Sequence, residues 1–181
     1  MNAKHVKQKT PGVNLHGSWR QGVLFVLTVV GVVVFDQLTK QLLRDHVAPL
    51  EVVPVFGCLS FCHICNPGSA FGIFARQSVL ITLAAVAGLA AILLFSRYFR
   101  QSSKLGSLAL ALVFGGAIGN LIDRFRFGCV TDFIDVRLWR DFHWPAFNVA
   151  DSAITVGVIA LLVFIFQGLR KSDGGTPEVT D

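Results

Sequence analysis

Four long stretches with few or no charged residues are the feature that most constrains how this sequence can fold. They comprise 15 uncharged residues between Arg20 and Asp36, 20 at 77–96, 18 between Lys104 and Asp123, and 21 at 146–166 that include one charge, Asp151. A helix needs about 20 residues to cross about 30 Å of hydrocarbon. The first stretch is long enough only if its helix continues past Asp36. We therefore predict four transmembrane helices, at about 21–43, 77–96, 105–122 and 146–166.

The composition agrees with a membrane protein. Hydrophobic residues make up 53% of the 181 residues and charged residues only 15%, whereas a soluble domain has about 25% charged residues. The alternative is a soluble bundle with buried helices, and the blocks are too apolar to favour it. The predicted fold class is an all-α membrane protein with four transmembrane helices and a small extracytoplasmic β segment.

The distribution of basic residues predicts the orientation in the membrane. With four spans, the side that holds both termini carries nine Lys and Arg, against seven on the other side. The link between the second and third spans is entirely basic, so the positive-inside rule places both termini in the cytoplasm. This topology explains the basic charge without a nucleic-acid partner. We expect a flexible arm at 1–19, a membrane domain at 20–171 and a flexible tail at 172–181.

Two polar segments lie on the predicted outer side. Residues 51–65 are rich in β-branched and aromatic residues and partly alternate, which predicts a short strand or hairpin. Residues 124–145 carry four Arg and three Asp together with aromatic residues. We interpret this second segment as a loop rather than a fifth span.

Four cysteines allow three interpretations. Cys62 and Cys65 have the spacing of half a zinc site or of a redox pair, but no second half of a zinc site is evident. A disulfide in the oxidising outer space is a further alternative. The favoured interpretation treats Cys58, Cys62, Cys65 and Cys129 as small apolar side chains at the membrane surface.

Asp151 is the strongest candidate for chemistry, because an ionisable residue at membrane depth is costly. It lies six residues into the fourth span, about 9 Å from its outer end at about 1.5 Å per residue. Asn148 and Thr155 share its helix face and are expected to hydrogen-bond to it. The structural alternative is a carboxylate paired with an Arg from another helix.

Acid–base chemistry needs a second carboxylate, and the segment TDFID offers Asp132 and Asp135. The residues alone leave that choice open. Two carboxylates brought together in a low dielectric share a proton, so one is a base and the other an acid near neutral pH. Such a pair activates water against an amide without a metal or cofactor.

Other polar positions have structural explanations. Asp36 and Lys40 stand at i and i+4 and are expected to pair. In GGAIGNLIDR, at 115–124, the glycines permit close helix contact, and Asn120 shares a face with Arg124. Asp123 and Arg124 simply end the helix, or Arg124 tunes a carboxylate pair. Asn66, Pro67 and Gly68 by themselves indicate a turn.

Together these residues resemble a known family. The blocks are DQLTK at 36–40, NPGSAFGIF at 66–74, GGAIGNLIDR at 115–124, VTDFIDV at 130–136 and FNVADSAI at 147–154. They are similar in type and order to those of the lipoprotein signal peptidases, also called signal peptidase II. Ser69 is a mild departure from the usual Ala-rich run after the Asn-x-Gly.

The resemblance implies a bacterial membrane aspartic endopeptidase (a hydrolase) of the cell inner membrane. Such an enzyme cleaves prolipoproteins on the N-terminal side of a diacylglyceryl-modified cysteine, with its active site near the extracytoplasmic face. The resemblance assigns the catalytic dyad to Asp132 and Asp151. It implies substrate-holding positions for Asn66, Gly68, Asn120, Arg124 and Asn148, and structural or supporting positions for Asp36, Lys40 and Asp123. It also implies a β-cradle formed by the outer strand segment and, beside it, a mobile lid.

The expected partners are a lipid-modified prolipoprotein and membrane lipids, and we expect a monomer with no cofactor. Two other classes of function compete. A proton-coupled carrier would need polar residues continuing inward from Asp151, but residues 156–166 offer none. A structural membrane protein without catalysis is the other.

Overall fold

Three long helices form the bulk of the molecule. A computed structural model of the chain describes residues 15–68, 82–83, 85–88, 90–91, 94, 103–140 and 142–173. The helices are α1 (Leu15–His46), α2 (Lys104–Phe127) and α3 (Val149–Asp173). Each contains a segment long and apolar enough to cross a membrane: Trp19–His46, Lys104–Phe127 and Val149–Arg170. Three of the four predicted spans are therefore helices of membrane-crossing length.

The remaining predictions for the helical part fall partly or wholly outside the described residues. Within the predicted span 77–96, the described residues are helical, and the others lie outside the description. The predicted arm 1–19 is shorter than expected, since α1 already begins at Leu15. Residues 1–14 and 174–181 lie outside the described part, and α3 extends into the predicted tail as far as Asp173.

Helices α1 and α2 run in the same direction. Phe25, early in α1, packs against Leu110 and Phe114 of α2. Near the other end of both helices, Lys40 Nζ lies 3.5 Å from an Asp123 carboxylate oxygen. Both helices thus end on the same side of the molecule.

Helix α3 runs antiparallel to these two and packs closely on α2. A Cβ atom at Gly157 would lie 2.7 Å from a methyl of Val113, and one at Gly116 would collide with the carbonyl oxygen of Ala150. Small residues of this kind let membrane helices approach closely. The predicted role of the glycines at 115, 116 and 119 as close-contact positions is confirmed by this packing.

A four-stranded antiparallel sheet caps one end of the helices. Its strands are β1 (Val52–Phe56), β2 (Leu59–Asn66), β3 (Val130–Trp139) and β4 (Phe142–Phe147), in the order β1-β2-β3-β4. The hairpin predicted at 51–65 is confirmed by β1 and β2. The loop predicted at 124–145 is wrong, because most of that segment forms β3 and β4.

The mistaken loop has a physical explanation. The polar residues at the start of β3 suggested solvent exposure, but Thr131, Asp132 and Asp135 are buried. They lie inside because the ends of the helices and the neighbouring strands supply their hydrogen bonds. Buried polar groups with partners are tolerated where unpaired ones are not.

Two apolar clusters enclose a polar layer. One cluster, near the middle of the helices, contains Phe25, Leu110 and Ala111. The other, between α1 and the sheet, contains Leu43, Val47 and Phe133. Between them lie buried polar side chains: Asp36, Lys40, Asn120, Asp123, Asp132 and Asn148. This layer lies where α1 and α2 approach the sheet and where α3 begins.

Candidate active site

Asp132 lies on β3 with its side chain almost completely buried. One carboxylate oxygen accepts a hydrogen bond from Nδ2 of Asn148 at 2.7 Å, and the other accepts one from Nδ2 of Asn66 at 2.8 Å. Burial raises the pKa of Asp132 to about 6, and the nearby charge of Asp151 adds to the rise. The two amide hydrogen bonds oppose that rise. This carboxyl group therefore titrates near neutral pH.

Asp151 lies in the first turn of α3 and is half-buried. Its Oδ1 accepts a hydrogen bond from Nδ2 of Asn120 at 2.7 Å, and its Oδ2 accepts one from the backbone N–H of Asn148 at 3.2 Å. The N-terminus of a helix favours a negative charge. Thr155 was expected to bond this carboxylate and does not, since its hydroxyl donates to the Asp151 backbone carbonyl at 2.8 Å.

Asn148 connects the two carboxylates. It precedes the first residue of α3, and its Oδ1 accepts the backbone N–H of Asp151 at 2.9 Å, as an N-cap residue does. Its Nδ2 donates to Asp132, and its backbone N–H donates to Asp151. One buried residue thus holds a carboxylate from the sheet beside a carboxylate from the helix.

Asp135 does not join this pair. On a strand, residues three apart point to opposite faces. A carboxylate oxygen of Asp135 lies instead 2.9 Å from Nδ1 of His143. Of the two carboxylates in TDFID, the structure therefore brings Asp132, and not Asp135, next to the first turn of α3.

A buried ion network lies behind the two carboxylates. Lys40 Nζ lies 2.9 Å from Asp36 and 3.5 Å from Asp123, and it donates to Oδ1 of Asn120 at 2.9 Å. The expected pairing of Asp36 with Lys40 is confirmed. Because Asn120 also donates to Asp151, the network fixes the amide that holds this carboxylate.

The same acidic residues tie the helices to one another and to the sheet. Asp36 accepts the backbone N–H of Ala150, at the start of α3, at 2.9 Å. Asp123 accepts the backbone N–H of Thr131, on β3, at 2.9 Å. Asp36 thus secures the helix that carries Asp151, and Asp123 secures the strand that carries Asp132.

The remaining predicted residues lie nearby with different contacts. Gly68 donates its backbone N–H to Oδ1 of Asn66 at 2.9 Å and has a φ of 115°, which favours glycine. This turn orients the Asn66 amide towards Asp132. Arg124 is half-buried and donates to the Asn120 backbone carbonyl at 3.4 Å. Within the described part of the chain, Arg124 Nε has no hydrogen-bond partner.

Cavities open on both sides of the carboxylate pair. One of about 420 Å³ adjoins Asp151 and has a mostly apolar lining: Trp144, Phe147, Ser152, Thr155 and Val156. The other, of about 250 Å³, adjoins Asp132 on the sheet side, where Asn66, Pro67 and Pro145 line it. The two carboxylates therefore adjoin open space, with a mostly apolar surface on the Asp151 side.

A disulfide joins Cys65 to Cys129 beside this site. The favoured interpretation of all four cysteines as simple apolar side chains is wrong for this pair, and the disulfide alternative is correct. The spacing of Cys62 and Cys65 suggested a zinc half-site or redox pair, but Cys65 is bonded elsewhere. Cys58 and Cys62 are free thiols.

The sequence of the chain matches a family of known proteins. Residues 28–167 match the family model described as signal peptidase (SPase) II. This chain belongs to the signal peptidase II family. It is therefore a peptidase, and its apolar helices make it a multi-pass membrane protein.

Individual relatives cover most of the chain. A lipoprotein signal peptidase of Syntrophotalea carbinolica is 49% identical over 150 residues, which are 77% of this chain and 89% of the relative. That of Desulforapulum autotrophicum is 45% identical over 142 residues, or 75% of this chain and 85% of the relative. A solved bacterial membrane enzyme superposes with a TM-score of 0.70 at 30% identity, covering 87% of this chain and 94% of that one.

Sequence reasoning missed two polar residues of the network. Gln37 donates to a carboxylate oxygen of Asp123 at 3.1 Å and to the Gly119 carbonyl at 3.0 Å. Arg44 lies 3.6 Å from Asp123 and donates to the Thr131 hydroxyl at 2.8 Å. The signal for Arg44 was available, since it stands four residues after Lys40 and continues the same helix face.

Proposed function

We propose that this chain is a membrane aspartic endopeptidase with Asp132 and Asp151 as its catalytic residues. We further propose that it removes the signal peptide from diacylglyceryl-modified prolipoproteins and cleaves before the lipidated cysteine. The observation that carries the proposal is the pair of carboxylates, one buried on a strand and one half-buried on a helix, that share Asn148 as a hydrogen-bond donor. Family membership and the names of the relatives support the substrate.

The proposed mechanism uses one ionised and one protonated carboxyl group. The ionised Asp takes a proton from a water molecule, and the water oxygen attacks the scissile carbonyl carbon. The protonated Asp donates a hydrogen bond to the carbonyl oxygen, and a proton then passes to the leaving amine. The raised pKa of Asp132 suits it to the role of the base, because a carboxyl group with a pKa of about 6 is ionised at neutral pH and accepts a proton more readily than an ordinary Asp does. Two carboxylates suffice, so we expect no metal or other cofactor.

The supporting residues divide into two groups in this proposal. Asn66, Asn120 and Asn148 orient the carboxylates through their amides. Asp36, Lys40 and Asp123 hold the surrounding elements together. Arg124 supplies a positive charge near the carboxylates, and Gly68 shapes the turn that carries Asn66.

A fourth span follows from the path of the chain. Helices α1 and α2 both end at the sheet, so the chain must return from Asn66 on the sheet side to Lys104 at the far end of α2. A crossing of about 30 Å takes about 20 helical residues. Residues 67–103 are long enough for it, and the described residues of 82–94 are helical.

The disulfide supports an outer location for the active site. Disulfides persist in oxidising compartments such as the bacterial periplasm and are rare in the cytosol. Cys65 and Cys129 lie on the sheet side, together with Asp132 and Asp151. We therefore infer that the sheet faces outward and that both termini are cytoplasmic. In this topology the enzyme lies in the bacterial inner membrane.

The lipid on the substrate determines where the scissile bond lies. Burial in the bilayer is worth about 0.8 kcal/mol per CH₂ group, so two acyl chains anchor a prolipoprotein firmly. The carboxylate pair lies where the spans meet the sheet, near the outer membrane surface. Membrane lipids surround the spans of the proposed enzyme. We propose that it acts as a monomer.

The test compares two forms of one precursor in the same detergent. The purified protein should cleave the diacylglyceryl-modified precursor just before its cysteine and cleave the unmodified precursor very poorly, even at high concentration. Mass spectrometry of the products locates the cut. Equal cleavage of both forms would refute the lipid-dependent assignment while leaving an aspartic protease, and cleavage of neither would refute the proposed function.

A further inference from the structure

The disulfide lies directly beside the residue that holds Asp132. Cys65 is adjacent to Asn66 at the end of β2, and Cys129 lies between Gly128, which caps α2, and the first residue of β3. The two Cα atoms are 5.6 Å apart, and 64 residues of sequence separate the cysteines. The bond therefore joins the link between α2 and β3 to the final residues of β2.

The strand pairing alone holds this end of β2 weakly. The register between β2 and β3 shifts between Phe61 and Ile64, and only three pairs follow the shift, ending at Asn66 opposite Val130. A bulge interrupts the hydrogen-bonded ladder locally, so the pairs before it do not secure those after it. The disulfide supplies a covalent constraint at this point.

We propose that the Cys65–Cys129 disulfide is a positioning element for the reaction, because it keeps the Asn66 amide on the Asp132 carboxylate. The inference rests on the proposed catalytic role of Asp132. Asn66 Nδ2 reaches Asp132 at 2.8 Å while Asn66 Oδ1 accepts the Gly68 N–H at 2.9 Å. A small displacement of the Cys65 backbone breaks the first of these contacts.

The disulfide lies at a partly exposed position, and the nearby free thiol does not readily exchange with it. Cys65 is an exposed residue and Cys129 a buried one, so a small reductant approaches the bond from the Cys65 side. The other nearby thiol, Cys62, is buried, and burial raises its pKa to about 11. A thiol with so little thiolate at neutral pH attacks a disulfide slowly, so Cys62 does not readily exchange with the bond.

Reduction converts the disulfide into two thiols. The S–S bond breaks, and the two sulfur atoms gain two electrons and two protons from dithiothreitol, which closes into its own cyclic disulfide. Formation of the bond in the cell runs the other way and requires an oxidant of the disulfide or quinone class outside the cytoplasm. In the cell, the peptidase therefore requires oxidation of these two cysteines to become fully active.

The pH dependence distinguishes positioning from simple stabilisation. The Asn66 hydrogen bond lowers the pKa of Asp132, so its loss moves that pKa further up from about 6. Most other groups that act on Asp132 come from different elements and stay in place: Asp151 and Lys40 by charge, Asn148 by hydrogen bonding, and Arg124 as a neighbouring charge. Cys62 is on β2 as well, but it lies within the register shift, ahead of the pairs that end at Asn66, and is buried. Loss of the disulfide should therefore move the acid limb of the rate profile upward.

The experiment measures kcat and the acid limb of kcat/KM with the lipidated precursor. It compares the oxidised wild type, the wild type treated with dithiothreitol, and the double variant Cys65→Ser with Cys129→Ser. We expect kcat to fall roughly tenfold in the last two, as for loss of a hydrogen bond to a charged group, and the acid limb to rise in pH. Cys58→Ser, at an exposed free thiol, is the matched control and should behave as the wild type.

The same comparison in an Asn66→Ala background tests whether the disulfide acts on Asp132 through Asn66. There, loss of the disulfide should produce no further shift of the acid limb. An equal shift in both backgrounds, or unchanged kcat and pH profile in folded reduced protein, would overturn the inference. Circular dichroism and thermal unfolding identify any variant that fails to fold, and the dithiothreitol arm then carries the test. Failure of the proposed function shows separately, as an inactive oxidised wild type or an active Asp132→Asn.

Discussion

Asn148 donates its side-chain amide to the Asp132 carboxylate at 2.7 Å, although sixteen residues and two turns of chain separate them. The same asparagine caps the helix that carries Asp151. Asn148 is therefore a single residue that contacts both carboxylates and holds one beside the other. The two roles of Asn148 are separable by mutation, because capping uses its side-chain oxygen and the contact with Asp132 uses its side-chain nitrogen.

Asn148→Ser should lower kcat while keeping the cap of α3. Serine keeps an oxygen that caps α3, but it has no amide to donate to Asp132. Loss of a hydrogen bond to a charged group corresponds to a fall in kcat of roughly ten- to one hundredfold. Asn148→Ala removes the cap as well and should cost about 1 kcal/mol more in unfolding free energy. Wild-type turnover in Asn148→Ser would show that the amide has no part in the reaction.

The activity should have an acid limb near pH 6. One carboxyl of the pair must be ionised to accept a proton from water, and the pKa of Asp132 is raised to about 6. We expect kcat/KM to fall about tenfold per pH unit below that value. Asp45→Asn, at an exposed residue of α1, should leave the limb in place. A limb near pH 4, typical of an unperturbed Asp, would contradict this assignment.

The same pKa shift has a consequence for stability, with a definite sign. Between pH 7 and pH 5 the folded protein takes up a proton on Asp132 that the unfolded chain does not. This group alone therefore makes the free energy of unfolding larger as the pH falls through about 6. Thermal unfolding of the wild type and Asp132→Asn across this range isolates the effect, and parallel pH dependences in the two proteins would refute it.

Gly119→Ala should destabilise the protein. A Cβ atom there would lie 2.5 Å from Oδ2 of Asp36, the carboxylate that pairs with Lys40 and holds the start of α3. Overpacking of this kind costs about 1–3 kcal/mol, measurable as a lower melting temperature in detergent. Gly31→Ala is the matched control, because a Cβ atom at Gly31 meets nothing within 4 Å. Equal melting temperatures for the two variants would show that Asp36 moves freely.

The spans formed by α1, α2 and α3 were predictable from the sequence because membrane thickness sets a minimum length for an apolar block. The pairing of Asp36 with Lys40 was predictable because helix geometry alone places i and i+4 side by side. The strands β3 and β4 were not, since the polar residues of β3 face inward towards partners that only the assembled fold supplies. From hydropathy alone, a polar residue such as Asp132 is expected to be exposed, whereas the fold buries it.

The disulfide and the choice of carboxylate also depended on tertiary structure. Cys65 forms its disulfide with Cys129, which lies just before β3, the strand that pairs with β2. Cys62 is closer to Cys65 in the sequence, and that spacing suggested a different partner. The residues alone left Asp132 and Asp135 equivalent, and only the family resemblance favoured Asp132. Strand alternation separates them, but it requires knowing that the segment is a strand.

The most direct test of the central claim compares three substitutions of Asp by Asn in cleavage of the lipidated precursor. Asparagine keeps the size of the side chain but cannot exchange a proton. Asp132→Asn and Asp151→Asn should each abolish turnover in protein that still folds and inserts, whereas Asp135→Asn, whose side chain faces His143, should keep most of it. Near wild-type turnover in either of the first two, or an equal loss in Asp135→Asn, would contradict the account.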